Sequence, residues 1–260
     1  MEFFTWDVNP VLVEFFGLKI HWYGALFATA ILAGLQVMKW IFQQEKVKLE
    51  LLDSLLMHCV FGIIVGARLG HCLFYDPEFY LNNPLKILAI WEGGLASHGG
   101  GLGVILAVYF FQRKHKVEYL WLLDRLAIAT ALFGFFVRFA NFMNSEIIGI
   151  QTDVPWAVVF SRIDLLPRHP AQLYESLSYL SIFIVLVLLY RFSNIKRQLG
   201  ALFGAFLCLV FTARFAIEFV KVKQAAYTGD VWISTGQALS IPFFMVGIYL
   251  LLRAWNKKRT

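Results

Sequence analysis

Charged residues are scarce in this sequence of 260 residues. Asp, Glu, Lys and Arg make up 15% of it, whereas an ordinary soluble domain contains about 25%. Apolar residues reach 59% and include 26 Phe and 8 Trp. So little charge cannot cover the surface of a soluble protein of this size, which excludes a soluble enzyme and a disordered chain. The composition predicts an all-α integral membrane protein, with residues 1–260 forming a single polytopic membrane domain.

Cysteine is also scarce, and the three that occur, Cys59, Cys72 and Cys208, lie in apolar segments without paired spacing. This excludes a disulfide scaffold and a cysteine metal site, so we expect small buried hydrophobic side chains there. Asp, Glu, His and Cys are nowhere clustered with metal-ligand spacing, and we expect no metal and no cofactor. The first 17 residues contain no basic side chain, so we expect targeting by the first spanning helix and no cleavable signal peptide.

Long apolar runs, in contrast, are abundant. A helix that spans a bilayer needs about 20 mostly apolar residues, and we identify seven candidate segments. The third and seventh are short or begin with polar residues. The predicted spans are Gly17–Trp40, Leu55–Tyr75, Leu95–Phe111, Leu120–Phe142, Gln172–Tyr190, Leu199–Val220 and Ile233–Leu252.

Basic residues are distributed unevenly among the connections. Of the 23 Lys and Arg residues, 13 lie after the first, third and fifth spans or in the C-terminal tail, and 6 lie on the opposite side. The positive-inside rule explains the net charge of +6, so we expect no nucleic-acid partner. The bias predicts a cytoplasmic C-terminus and an N-terminus outside. Two longer outer connections, 76–94 and 144–171, are predicted to form a periplasmic arm loop and a head segment.

Several polar side chains lie within or next to the spans, where an ionisable group is costly and indicates a functional site. With the predicted directions of the spans, they share one depth near the outer leaflet. They are Tyr23, Arg68, His98, Arg138, Asn141, Gln172, Glu175, Arg214, Glu218 and Lys221. The common depth favours one site.

Each of the main residues in this set also has a structural explanation. Tyr23 can be an aromatic-belt residue, and His98 can be a hydrogen-bonded histidine inside the helix bundle. Arg68 can bind helix-end carbonyls or another helix, and Arg138 can extend to the outer interface. Arg214 and Glu218 can form a structural ion pair. Taken together, these explanations leave the common depth unexplained.

Glycine is concentrated around His98, where six of the 19 glycines lie between residues 93 and 103. Such a run has a low helix propensity. It also lets the backbone turn sharply and approach a ligand or an anion closely. Gly62, Gly66 and Gly70 have a spacing that favours close helix packing instead.

Two arginines at outer-leaflet depth indicate an anionic ligand, because Arg stays charged and forms bidentate bonds with phosphate. The simplest anion there is a phospholipid headgroup, and a histidine nearby can transfer a proton near neutral pH. The residues thus predict a lipid-headgroup enzyme open to the outer leaflet. A transporter or flippase for an anionic lipid or metabolite would use the same arginines. A membrane scaffold is a third interpretation, which has no use for the glycine run.

Six short motifs follow one another along the chain. Trp22-Tyr23-Gly24 begins near the first helix, and His98-Gly99-Gly100-Gly101-Leu102-Gly103 opens the third span. The fourth span leads into Arg138-Phe139-Ala140-Asn141-Phe142-Met143-Asn144-Ser145-Glu146, with Gly149 beyond. The others are Arg168-His169-Pro170-Ala171-Gln172-Leu173-Tyr174-Glu175, Arg214-Phe215 with Glu218-Phe219, and Gly236-Gln237-Ala238-Leu239-Ser240. Over nearly its whole length the sequence resembles the prolipoprotein diacylglyceryl transferase family.

This resemblance implies a multi-pass enzyme of the bacterial inner membrane whose active site faces the outer leaflet. It implies transfer of the diacylglyceryl group of phosphatidylglycerol to the lipobox cysteine thiol of a preprolipoprotein signal peptide. A thioether forms and glycerol 1-phosphate leaves. The implied catalytic residues are His98, Arg138, Arg214 and Glu218. The residues implied to bind substrate are Tyr23, Gly99, Gly100, Arg138 (which binds phosphatidylglycerol), Asn141, Asn144, Glu146 and Gly149.

Individual roles follow from the chemistry of the implied reaction. The thiolate is the reactive form of cysteine, so a base helps, and His98 is the candidate; substrate binding is the alternative role for His98. Arg138 and Arg214 can stabilise the charge that develops on the leaving phosphate. We expect Glu218 to orient Arg214.

The sequence departs from the family pattern at the sixth span. The family often has Tyr four residues before the arginine of this span, where this chain has Val210. Three residues after Glu218 the family often has Arg, and Lys221 keeps that charge but loses the bidentate fork. Val222-Lys223-Gln224 replaces the usual Pro-Asp that follows. We expect substrate binding or gating to differ here without loss of activity.

Overall fold

The computed structural model describes residues 3–90, 93–94, 96–222 and 233–257, without the side chains of residues 18, 97, 98 and 257. The described residues are mostly helical. The helices are α1 (Trp22–Gln44), α2 (Glu50–Phe74), α3 (Pro77–Asn82), α4 (Ser97–His115), α5 (Tyr119–Met143), α6 (Ala171–Phe192), α7 (Ala201–Ile217, continued by a 3-10 turn at Glu218–Val220) and α8 (Thr235–Lys257). Six of them, all except α3 and α4, are long and apolar enough to cross a membrane. The predicted all-α integral membrane fold is confirmed.

Helix α4 corresponds to the third predicted span. It is helical, but its first turn reads Ser-His-Gly-Gly-Gly and its last turn reads Gln-Arg-Lys-His. These polar ends explain why α4 is not among the six apolar helices. A seventh transmembrane helix and the orientation of the chain stay predictions.

The first span begins at Trp22, so the predicted start at Gly17 is wrong. Before it lie β1 (Phe4–Trp6), β2 (Val11–Phe15) and β3 (Leu18–His21), and β2 and β3 form an antiparallel hairpin. Phe16 and Gly17 make the tight turn with φ of 48° and 79°, a region that glycine adopts readily. The apolar residues of this hairpin extended the hydropathy signal beyond the helix.

The chain divides into two compact units, residues 1–37 with 123–260 and residues 38–122. In the first unit, β1 pairs in parallel with β4 (Val158–Phe160), and β4 pairs antiparallel with β5 (Pro167–Arg168). Phe142, Val158 and Phe160 form a buried cluster against which Trp6 packs. Strands β4 and β5 lie in the predicted head segment. Its periplasmic location and the single membrane domain stay predictions.

An acidic side chain of α5 caps the N-terminus of α7. Buried Asp124 accepts hydrogen bonds from the backbone N–H groups of Gly200 and Phe203, both at 2.8 Å. The first N–H groups of a helix have no partner within the helix, so this carboxylate stabilises the start of α7. The helix accordingly begins at Ala201 rather than at the predicted Leu199.

In the second unit, α2 and α4 pack through glycines. A Cβ on Gly62 would lie 2.5 Å from the Gly103 carbonyl oxygen, and one on Gly70 would lie 2.8 Å from the Gly99 Cα. This confirms the close packing predicted for the glycines of α2, and it also accounts for Gly99 and Gly103. The expected sharp turn is not in the helical segment 99–103; Gly93 and Gly94 adopt positive φ instead, at 86° and 71°. Substrate binding by Gly99 and Gly100 stays a prediction.

Arg68 is a structural residue of the second unit. Its side chain is 3% exposed, and it donates to the carbonyls of Ile87 (Nε, 2.8 Å), Lys86 (Nη2, 2.6 Å) and Gly94 (Nη1, 3.2 Å). Nη1 also donates to Gly93. These bonds confirm the carbonyl-binding explanation for Arg68 and hold residues 86–87 and 93–94 of the predicted arm loop.

Replacing Arg68 with Gln should loosen the segment 76–94. The substitution removes hydrogen bonds from a charged donor, and each such bond contributes about 1.5–3 kcal/mol. Limited proteolysis of the purified protein should therefore cut this segment at least about tenfold faster. The exposed Arg113 is the matched control, and Arg113→Gln should leave the cutting rate unchanged. Equal protection in Arg68→Gln would show that other contacts hold the segment.

Candidate active site

Polar residues of the first unit form a connected set around Arg138. Arg138 lies near the end of α5, and Glu175 lies in the second turn of α6. Arg138 Nη1 is 3.1 Å from Glu175 Oε2, and the two side chains are 17% and 3% exposed. A carboxylate this buried requires a cationic partner. The Arg138 side chain is the more accessible of the two.

Lys221 extends the set. Its Nζ lies 3.2 Å from Glu175 Oε1 and 3.7 Å from Glu218 Oε2. Glu175 therefore neutralises two cations. The contacts form a row of alternating charge, Arg138, Glu175, Lys221 and Glu218, and the neighbouring opposite charges offset the desolvation of each group. The sequence placed Glu175 and Lys221 at the depth of the site but assigned neither of them a catalytic or binding role. The position of Glu175 in a motif at the start of α6 was the signal available for it.

Glu218 contacts residues other than the predicted one. Its Oε1 accepts from Ser234 Oγ at 3.0 Å, and a Cβ on Gly236 would collide with its carboxylate. Within the described residues Arg214 makes no ion pair with Glu218 and no hydrogen bond. The backbone N–H of Glu218 donates to the Arg214 carbonyl, so Glu218 lies one turn beyond Arg214, but its carboxylate contacts Ser234 and Lys221 instead. The expected orientation of Arg214 by Glu218 is thus not seen.

A narrow cleft lies between α6 and α7. Glu175 and Tyr179 line it from α6, and Val210 and Arg214 line it from α7. Arg138 pairs with the same Glu175 at 3.1 Å. The two arginines predicted to be catalytic are therefore linked through Glu175, because Arg138 contacts its carboxylate and Arg214 lines the same cleft. The sequence analysis did not single out Tyr179, whose spacing of four residues from Glu175 puts it on the same face of α6.

The signature segment is the motif that follows Arg138, residues 139–149, and its part 141–147 folds into a tight turn. Asn141 Nδ2 donates to Glu146 Oε2 at 2.9 Å, and Asn144 Nδ2 donates to Glu146 Oε1 at 3.1 Å. Ser145 and Ile147 in this turn both have φ of 56°. The structure thus brings together three residues predicted to bind substrate, but it joins them to one another. Their contact with substrate stays a prediction.

Tyr23 belongs to the first unit. It lies in the first turn of α1, and its ring stacks on Phe27 with the centroids 6.4 Å apart. Substrate binding by Tyr23 stays a prediction.

Gly149 lies between two backbone segments. Its N–H donates to the His169 carbonyl at 3.0 Å, and the neighbouring Ile150 N–H donates to the Val220 carbonyl at 2.9 Å. A Cβ at position 149 would lie 2.5 Å from the His169 oxygen and 2.7 Å from the Val220 oxygen. Close packing thus explains why position 149 is a glycine. The two backbone hydrogen bonds join the signature segment to the start of α6 and the end of α7.

Replacing Gly149 with Ala should destabilise the protein. The added methyl group overlaps two carbonyl oxygens, and overpacking of this kind typically costs about 1–3 kcal/mol. Thermal unfolding in detergent should show a lower midpoint. A Cβ on Gly24 would meet nothing within 4 Å, so Gly24→Ala is the matched control and should not lower it. An unchanged midpoint in Gly149→Ala would refute this packing role.

Arg168 stabilises the backbone around Gly149. Its Nε donates to Asp164 Oδ2 at 3.0 Å, and its Nη1 donates to the Gly149 carbonyl at 3.3 Å. The hydrogen bonds with Arg168 lower the pKa of Asp164, and those with Asp164 raise the pKa of Arg168. The Arg168 side chain thus forms a structural ion pair with Asp164.

His98, Gly99 and Gly100 belong to the second unit. The backbone of His98 lies in the first turn of α4, and its side chain lies outside the described part of the chain. Both predicted roles of His98, general base and substrate binder, stay predictions.

Comparison with known proteins agrees with the motifs. The family model for prolipoprotein diacylglyceryl transferase matches residues 10–253. A Tolumonas auensis protein named phosphatidylglycerol--prolipoprotein diacylglyceryl transferase is 56% identical over 254 residues, which cover 97% of this chain and 98% of the relative. A protein of the same name from Chloroherpeton thalassium is 45% identical over 97% of this chain and 95% of its own length. One from Bacteroides fragilis is 43% identical over 98% of this chain and 96% of its own length. The chain belongs to the prolipoprotein diacylglyceryl transferase family.

Proposed function

We propose that this membrane protein transfers the diacylglyceryl group of phosphatidylglycerol to the lipobox cysteine thiol of a preprolipoprotein signal peptide. Membership of the family and the names of relatives that cover nearly the whole chain support this function. The structural observation behind it is that Arg138 pairs with Glu175 at 3.1 Å while Arg214 lines the same cleft as Glu175. Two guanidinium groups in an apolar helix bundle suit a phosphate ligand.

The proposed reaction forms one bond and breaks one. The cysteine thiol gives its proton to a base, for which His98 is the candidate, and the sulfur bonds to the diacylglycerol carbon that carries the phosphate. The carbon–oxygen bond breaks, and its electron pair stays on the phosphate oxygen. Glycerol 1-phosphate then leaves with one more negative charge than the phosphodiester had. Arg138 and Arg214 stabilise that charge as it develops.

The buried ion pairs prepare this site. Glu175 and Lys221 fix the inner edge of Arg138 and the end of α7, so little reorganisation is needed when the phosphate binds. Glu218 supports Lys221. Asn141 and Asn144 hold the Glu146 carboxylate, which we propose contacts the polar part of the substrate together with Tyr23.

We further propose that the site faces the outer leaflet of the bacterial inner membrane. The uneven distribution of Lys and Arg supports this orientation, with the C-terminus in the cytoplasm. A peptide tag placed after Thr260 should react with an impermeant label only after the cells are opened. Labelling of the tag in intact cells would reverse the orientation.

A product assay tests the proposed function. The purified full-length chain is incubated with phosphatidylglycerol vesicles and a synthetic lipobox peptide, and released glycerol phosphate is measured. Release should depend on the peptide and should disappear when Ser replaces its cysteine. A transporter or flippase would release none, and release with the Ser peptide would indicate a phospholipase.

A further inference from the structure

We propose that Gln172 is a positioning residue of this chain, which fixes the Glu146 carboxylate at the substrate by binding the Glu146 backbone. This inference rests on the proposed transferase function, in which Glu146 contacts the polar part of the substrate, and it adds a residue that acts through Glu146.

The Gln172 amide reaches the signature segment from a different helix. Gln172 lies in the first turn of α6 and is fully buried. Its Nε2 donates a hydrogen bond to the backbone carbonyl of Glu146. The two residues are far apart in the chain, so this bond joins the turn of the signature segment to the start of α6.

A buried amide at position 172 is costly for the fold. Among the described residues, Oε1 of Gln172 is buried without a hydrogen-bond partner, and an unsatisfied buried acceptor lowers stability. An apolar side chain of similar size would avoid this cost. It could not supply the hydrogen bond to Glu146, and we infer that this bond is the reason for glutamine at the position.

The turn around Glu146 needs contacts from outside itself. Ser145 and Ile147, on either side of Glu146, both have φ of 56°, a region that is strained for a β-branched residue above all. Such a backbone persists only where the surrounding structure fixes it. The Glu146 N–H donates to the Asn141 carbonyl at 2.9 Å, and Gln172 binds the Glu146 carbonyl, so both backbone groups of Glu146 are held.

The held backbone determines where the exposed Glu146 side chain lies. The two asparagine amides that bind its carboxylate belong to the same turn and would move with it. Gln172 instead belongs to α6, whose second turn carries Glu175, the partner of Arg138 at 3.1 Å. Gln172 therefore keeps the Glu146 carboxylate at a fixed position relative to Arg138.

A double-mutant cycle of Gln172→Met and Glu146→Ala in the full-length protein tests this role. A displaced carboxylate should lower kcat/KM for phosphatidylglycerol about 10- to 100-fold in Gln172→Met. In the Glu146→Ala background, the same change should lower kcat/KM by less than about twofold, because no carboxylate remains to be positioned. A residue that only stabilised the fold would have the same effect in both backgrounds.

Ser176 of the same helix provides the matched control. It is buried and donates to the Phe135 carbonyl at 3.0 Å, so Ser176→Ala also removes a buried hydrogen bond to a backbone carbonyl. This variant should lower the midpoint of thermal unfolding. Assayed well below that midpoint, it should keep kcat/KM within about twofold of the parent.

If Gln172→Met does not fold, Gln172→Asn takes its place, because it keeps the amide but is too short to reach Glu146. The proposal is overturned if the variant stays within about twofold of the parent, or if its loss is equally large in Glu146→Ala. If Glu146→Ala shows no measurable transfer, equal losses in Gln172→Met and Ser176→Ala overturn it. Failure of the parent chain itself to transfer would instead overturn the proposed function.

Discussion

Replacing Arg138 with Gln should lower kcat/KM for thioether formation about 100- to 1000-fold, the range seen when one donor to a developing oxyanion is removed. The fold should survive this change. Glu175 retains Lys221 at 3.2 Å after Arg138 is lost, so no buried carboxylate is left without a cation. Transfer is measured with phosphatidylglycerol and a lipobox peptide, and folding is measured by thermal unfolding in detergent.

Arg162 offers a matched control for this substitution. It is an exposed arginine of the same compact unit, and Arg162→Gln should leave both transfer and the unfolding midpoint unchanged. Near-normal turnover in Arg138→Gln would remove this residue from the mechanism. A lowered midpoint would show that Arg138 stabilises the fold more than the substrate.

Replacing Glu175 with Gln, unlike the Arg138 substitution, should lower the stability of the protein. The carboxylate is 3% exposed and contacts both Arg138 and Lys221. Breaking a buried ion pair by neutralising one partner costs about 3–5 kcal/mol, because Arg138 would then have no acidic partner among the described residues, while Lys221 would keep only Glu218 at 3.7 Å. Denaturant unfolding in detergent should show this loss. Transfer should also fall, since Arg138 loses the partner that fixes its position.

Glu14 is the matched control for Glu175. It is 56% exposed and lies 3.9 Å from Lys19, which is equally exposed. Exposed pairs of this kind contribute about 0–1 kcal/mol, so Glu14→Gln should change the unfolding free energy little. If Glu175→Gln were as stable as Glu14→Gln, Glu175 would not hold the buried cations together.

Hydropathy predicted six of the long helices because each must present apolar side chains to lipid along its whole length. It misplaced the start of the first span, since a hairpin with apolar strands gives the same signal as a helix end. Hydropathy could not show whether Gly99 serves helix packing or ligand binding. The Cβ clash with the Gly70 Cα depends on the register of two helices, which neither segment specifies alone.

Part of the candidate site was visible in the sequence. Asn141, Asn144 and Glu146 are close in the chain, so their contacts are local and follow from the turn between them. The pairing of Arg138 with Glu175 and Lys221 joins three distant segments, and their distances depend on how α5, α6 and α7 pack. Sequence spacing put Glu218 one turn after Arg214, and the backbone keeps that spacing. The Glu218 carboxylate contacts Ser234 and Lys221 instead of Arg214, and the Ser234 contact depends on how the start of α8 packs against α7.

The mass of the peptide product tests the proposed function most directly. The purified full-length chain is incubated with phosphatidylglycerol and a synthetic lipobox peptide, and the peptide is analysed by fragmentation mass spectrometry. The predicted result is a diacylglyceryl group attached through a thioether to the lipobox cysteine, with no modification of a peptide that has Ser at that position. An unmodified cysteine peptide, under conditions in which an active family member gives the adduct, would contradict the proposed function.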